Sequence, residues 1–153
     1  MGYAKSLAYK WNQYLDSCGF SYQFNTEDGS FAIPEVKLDN AMKSGMVFIF
    51  CFESDFQVRC IFNQKVPIST RDDVACLFNR INYTVAFGHF YMDYSDGEMG
   101  FAYSVDFEDS VVSMKMLKNA FGIVFSAAES WSDAILEVSN GKLKPAAAFL
   151  KYS

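Results

Sequence analysis

This sequence is short of the groups that most enzyme chemistry needs. It has one histidine, His89, in 153 residues. A general base or metal ligand works with companions, and a lone imidazole points to none. No Gly-rich phosphate loop, Gly-x-Ser-x-Gly elbow or His-Glu-x-x-His pair occurs, so nothing positive indicates nucleotide, acyl-transfer or zinc-hydrolase chemistry. Four cysteines, Cys18, Cys51, Cys60 and Cys76, include no Cys-x-x-Cys spacing, which removes the usual zinc signal. The longest apolar run, Met46 to Phe52, is far too short to span a bilayer. The N-terminus enters an amphipathic stretch at once, without the pattern of a secretory leader, so a soluble cytoplasmic protein is expected.

Basic residues are also scarce. Lys and Arg number 13 against 18 Asp and Glu, giving a net charge of −5 and a pI near 4.8. Phosphate backbones are held mainly by clustered Lys and Arg, and here these residues are scattered, so no nucleic-acid partner is expected. The acidic balance suits a basic or apolar partner.

Apolar and aromatic residues are plentiful. Hydrophobic residues make up 51% and mean hydropathy is +0.03, which excludes a disordered chain. Sixteen Phe and nine Tyr are unusually frequent, which points either to an aromatic-rich core or to a surplus that supplies a binding face. The length suits one domain, 1–153, and no linker or repeat divides it.

Leu7, Trp11, Tyr14, Leu15 and Cys18 share one face of a helix from about Ser6 to Cys18, stopped by Gly19. Phe20, Tyr22 and Phe24 alternate, Asp28-Gly29 turns, and Ser30 to Ile33 returns. Pro34 limits that strand to an edge or ends its pairing, and residues 37–45 read as loop. Met46 to Phe52 is apolar on both faces, so it should be a central strand covered on both sides. Phe56, Val58, Cys60 and Phe62 alternate in the next strand. If Ser54-Asp55 turns that hairpin, Cys51 faces Val58 and Cys60 faces Ile49. The two thiols are then diagonal, a poor disulfide geometry, and the cysteines read as small buried residues.

Thr70 with Asp73 resembles a capping box opening a helix whose stripe is Val74, Leu77, Phe78 and Ile81. Strands from about Phe87 to Tyr94 and Met99 to Phe107 pair around Asp96-Gly97. A long helix follows, Ser113 to Ser139, then Gly141, Pro145 and a short apolar tail. The class is α+β, an antiparallel sheet flanked by helices in the order α-β-β-β-β-α-β-β-α.

Candidate sites are few. His89 reads as structural. Asp93, Asp96, Glu98, Asp106, Glu108 and Asp109 read as turn and solvent-face residues rather than a metal cluster. Asn79, Arg80 and Asn82 read as helix termination. The two-sided strand carries the functional reading. Val47, Ile49 and Cys51 join Val58 and Cys60 on one face; Met46, Phe48, Phe50 and Phe52 lie beside Gln57, Arg59 and Ile61 on the other. Three helices can cover one face, so the second needs a further cover: a partner subunit or bound segment, or the long final helix wrapping round to seal it within the monomer.

The helix-hairpin-helix order, with Asn79-Arg80-Ile81-Asn82, Tyr94-Ser95-Asp96-Gly97-Glu98 and the closing Gly141, resembles the YbjN-like family from Leu15 to Ala148. That resemblance implies a fold like the type III secretion chaperones, small, acidic, usually dimeric proteins that hold an extended segment of a partner. Some YbjN-like proteins are described as sensory-transduction regulators. The expectation is a non-enzymatic, chaperone-like protein-binding module, homodimeric, without metal or cofactor and away from membranes. Its partner-binding residues are Phe48, Phe50, Phe52 and Arg59. The alternatives are a regulator docking on a signalling protein, and an enzyme with a site near His89.

Overall fold

A computed structural model describes residues 2–39 and 41–153. The amphipathic segments form helices α1 (Lys5–Cys18), α2 (Arg71–Thr84), α3 (Met114–Ser139) and α4 (Pro145–Tyr152). The alternating segments form strands β1 (Gln23–Phe24), β2 (Ser30–Lys37), β3 (Ser44–Cys51), β4 (Asp55–Phe62), β5 (His89–Met92) and β6 (Met99–Asp106). All six strands join one antiparallel sheet in the order β1-β2-β3-β4-β6-β5. The class is α+β, as the element order implied.

The helices lie on one side. Along β3 and β4 every second residue is buried: Val47, Ile49 and Cys51, then Phe56, Val58, Cys60 and Phe62. Against this face α1 sets Trp11, 5.5 Å from the Phe56 ring and 6.4 Å from Phe121 of α3. α2 sets Phe78 on Phe90 of β5 at 5.3 Å. α3 packs over β4 and β6, and α4 closes the groove between α2 and α3 by stacking Phe149 on Trp131. Burying large aromatic side chains this way is the main favourable term for such a fold.

Several local expectations differ from the structure. β2 continues through Pro34 to Lys37, because its register shifts between Ile33 and Val36. β1 pairs only with Phe31 and Ala32, so Pro34 has no ladder bond to lose on its outer side. The segment read as loop from 37 to 45 holds the end of β2 and the start of β3; Asn40 within it lies outside the described residues. The β3–β4 turn centres on Glu53-Ser54, not Ser54-Asp55, with the Phe52 N–H donating to the Asp55 carbonyl at 2.9 Å. Cys51 therefore faces Phe56, and Cys60 faces Val47. Those two cysteines are buried and unbridged, whereas Cys18 and Cys76 are exposed rather than buried.

Thr70 does not form the expected capping box. A 3₁₀ turn, Ile68–Thr70, precedes α2, and the Thr70 hydroxyl donates instead to the Ser139 carbonyl at the end of α3, at 2.7 Å. Asn79, Arg80 and Asn82 do not terminate α2, which runs on to Thr84. Asn82 faces β5 and binds the Phe90 backbone twice. Its side-chain oxygen accepts from the Phe90 N–H at 2.8 Å, and its amide donates to the Phe90 carbonyl at 3.0 Å.

Candidate functional site

Among the described residues, no helix lies on the other face of the sheet. Cross-strand register builds it in rows, of which three surround Arg59 and the next beyond Gln57 holds Asp55 opposite Asp106. Ala32, Phe48, Arg59, Ala102 and His89 form the middle row. Met46, Ile61, Gly100 and Tyr91 lie on one side of it; Ser30, Phe50, Gln57 and Ser104 lie on the other. Met46, Phe48, Phe50 and Ile61 are half-buried, and none packs against the helical core; Phe48 also lines a hollow with Asn25, Thr26 and Glu27 of the β1–β2 turn. The rings of Phe48 and Phe50 lie nearly parallel, 6.0 Å apart and inclined by 12°.

Arg59 stands among these rings. Its guanidinium carbon is 4.7 Å from the centre of the Tyr91 ring, an arrangement in which the ring face attracts the cation. Its Nε donates to the Gln57 side-chain oxygen at 3.2 Å, and Gln57 in turn donates to the Ser104 hydroxyl at 3.0 Å. Among the described residues, Arg59 forms no ion pair. The pairs present are Lys65–Asp96, Lys144–Asp73 and Lys151–Glu137, all elsewhere on the surface.

Tyr91 completes the platform, and sequence reasoning missed it. It pairs with Gly100, and a Cβ there would come within 2.6 Å of the Tyr91 hydroxyl and 2.2 Å of the Cys60 carbonyl. Gly100 therefore leaves the trough in which the phenol lies. Burial pushes the Tyr91 hydroxyl up to about 12, with the Arg59 guanidinium acting in the opposite direction. Among the described residues, that buried hydroxyl has no hydrogen-bond partner. The available signal was a glycine inside an alternating strand, which marks a close approach by another group.

Of the residues expected to bind a partner, Phe48, Phe50 and Arg59 come together on this face. Phe52 stands apart: it lies beyond the end of β3, 44% exposed, in a hollow with Gly2 and Asp55. His89 is exposed on the edge strand, its ring 6.3 Å from that of Tyr91. Asp93 and Asp96 are occupied in the β5–β6 turn. Asp93 accepts from the Ser95 N–H and hydroxyl, and Asp96 accepts from the Glu98 N–H and Lys65, which holds both carboxyls below the ordinary range.

A second surface, on the helical side, is an open groove of about 630 Å³ along α3. Its walls include Phe87, Gly122, Ile123, Ser126 and Trp131. Among the described residues, no helix is long and apolar enough to cross a membrane, and no group of three or more potential metal ligands occurs.

A single antiparallel sheet, helical on one side and bare and aromatic on the other, defines a small α+β scaffold built around a surface rather than a cleft. The chain belongs to the YbjN family. The model of that family, described as "Putative bacterial sensory transduction regulator", matches residues 12–137. Among solved structures, the chain is similar to YbjN from E. coli, described there as "a putative transcription regulator". The TM-score is 0.56 at 13% identity, over 79% of this chain and 89% of that one. This likeness shows the fold.

Two secretion complexes align more distantly. The heterodimeric ExoU–SpcU complex of the Pseudomonas aeruginosa type III secretion system gives a TM-score of 0.47 at 13% identity, over 75% and 88% of the two chains. The HopA1–SchA chaperone–effector complex gives 0.45 at 17% identity, over 90% and 94%. Likeness at that level transfers nothing to this chain. No curated protein sequence matches it.

Proposed function

We propose that this chain is a non-enzymatic protein-binding module, chaperone-like in action. It holds a partner polypeptide against the bare sheet face through Phe48, Phe50 and Arg59, with Phe52 at the margin. In this proposal residues 1–153 act as one domain, in the cytoplasm and as a homodimer. The supporting observation is the row structure of the face: half-buried aromatic and aliphatic side chains with no helix above them. Neighbouring apolar side chains left partly open to solvent in this way are the material of interaction sites.

The test uses an unfolded, carboxymethylated test polypeptide, a fluorescent label and anisotropy. The native chain binds it, and Phe50→Asp lowers the affinity roughly tenfold or more, since a charge now faces an apolar partner. Equal binding by both proteins removes the reading. Light scattering checks the homodimer separately: a monomeric mass at micromolar concentration removes that part alone.

The family description favours a second reading, a regulator that docks on a signalling protein through the same face. It differs in selectivity. A docking regulator binds one folded partner and ignores the unfolded polypeptide.

A further inference from the structure

We infer that the occupant of the bare face is an apolar polypeptide segment carrying a side-chain carboxylate, seated on Arg59. This rests on the proposal that the face binds polypeptide, and it names the chemistry of what is bound.

Three observations converge. First, Arg59 occupies the middle row of the face, directly opposite Phe48, with Met46 and Ile61 one row to one side and Phe50 one row to the other. Second, the guanidinium is fixed: the Tyr91 ring lies under it, and Gln57 takes its Nε proton. A guanidinium fixed in this way loses little freedom when its remaining N–H groups bind a planar anion. Third, no carboxylate of the described chain pairs with it, although the protein carries an excess of acids.

The energetics then restrict the occupant. Any polypeptide that covers the flanking apolar rows also strips water from Arg59. Covered by hydrocarbon alone, the cation keeps Gln57 and the Tyr91 ring but loses the water on its remaining N–H groups, a cost that opposes binding. A carboxylate presented to the two Nη groups restores charge-assisted, bidentate hydrogen bonds. The rows are two residues apart along a strand, so the carboxylate is flanked at roughly 7 Å by an apolar group over Met46 and Ile61 on one side, and over Phe50, beside Gln57 and Ser104, on the other. A basic side chain is disfavoured at the Arg59 position itself, where it would meet a like charge; the acids on this face, Asp55 opposite Asp106, lie two rows away.

The experiment is a peptide-display selection against the intact chain, followed by anisotropy on synthetic peptides. The selection uses random twelve-residue peptides. The expected result is recovery of Asp or Glu flanked by apolar residues, with binding lost in Phe48→Asp. Replacing the acid of a recovered peptide by its amide should weaken binding by ~10-fold or more, with the protein unchanged, so folding of a variant is not at issue. Arg59→Glu should shift the selection toward Lys or Arg at the same position.

Peptides that depend on Phe48 but show no acidic preference, or bind equally as acid and amide, overturn this inference and leave the proposed function standing. Failure to recover any Phe48-dependent peptide overturns both. Loss of self-association in Phe48→Asp without peptide recovery assigns the face to a second copy of the chain, and likewise overturns both.

Discussion

Tyr91 and the two buried cysteines show how position alone changes a side chain's behaviour. Burial pushes the Cys51 thiol from an ordinary value of 9.0 up to about 12, and burial aided by Glu129 does the same for Cys60. Below pH 9 these thiols are protonated in both folded and unfolded chains. Above it the unfolded chain releases protons that the folded chain keeps, so their contribution to stability is lost as pH rises from about 9 to about 12. Urea midpoints should therefore fall across that window, and a Cys51→Ala, Cys60→Ala double variant should show a shallower decline. Iodoacetamide at pH 8 should label Cys18 and Cys76 quickly and spare the buried pair until the chain unfolds. Mass spectrometry reads both results.

Tyr91 gives a sharper contrast. Its hydroxyl is buried and, among the described residues, unpaired, so Tyr91→Phe should be neutral or stabilising by up to ~1 kcal/mol in urea denaturation. Tyr91→Ala removes the ring that fills the trough at Gly100 and supports Arg59, and should cost about 2 kcal/mol. Gly100 signalled a close approach, but not that the Tyr91 ring makes it. The β5–β6 register depends on loop length, and the Asp96-Gly97 signal does not show that the loop runs from Tyr94 to Gly97.

At the scale of elements, the β5 edge is closed from within the chain. Asn82 occupies the N–H and the carbonyl of Phe90 as a neighbouring strand would. Asn82→Ala should cost about 2 kcal/mol, near 1 for each bond. It should also speed exchange of the Phe90 amide, measured by hydrogen–deuterium NMR, while amides of β3 stay protected. An asparagine near a helix end reads as a cap from sequence, because capping is its commonest role; the strand it binds lies beyond the next connection. Thr70 misleads for a similar reason, since its acceptor is Ser139 on another element.

Turns were more legible. Gly97 adopts φ 82°, and a Cβ there would meet the Val66 carbonyl at 2.2 Å. Gly97→Ala should destabilise by at least ~2 kcal/mol, seen as a lower urea midpoint.

For the whole molecule, the decisive property is that the sheet has one helical cover. Adjacent residues of β3 should then respond differently to the same treatment. Ile49→Ala opens a cavity under the helices and should cost ~2–5 kcal/mol, whereas Phe50→Ser, on the bare face, should cost less than ~1 kcal/mol. Equal losses in thermal denaturation would mean that the second face is sealed.

This division was readable because strand parity survives an error in register. Shifting the β3–β4 turn by one residue moves the pairing by two, and the same side chains remain on the same faces. What parity could not supply was reach: that Phe52 falls outside the platform, and that Tyr91 crosses toward β4 to enter it.

The strand order has a consequence for synthesis. β1 to β4 are consecutive neighbours and can zip together as they leave the ribosome, but β4 receives its second neighbour, β6, only after α2 and β5 have been made. Until then the flank of β4 is a vacant ladder beside the uncovered side chains of Val58 and Cys60. A nascent chain stalled before Met99 carries that sticky border into a crowded cell, where one stalled chain can add its open ladder to another's.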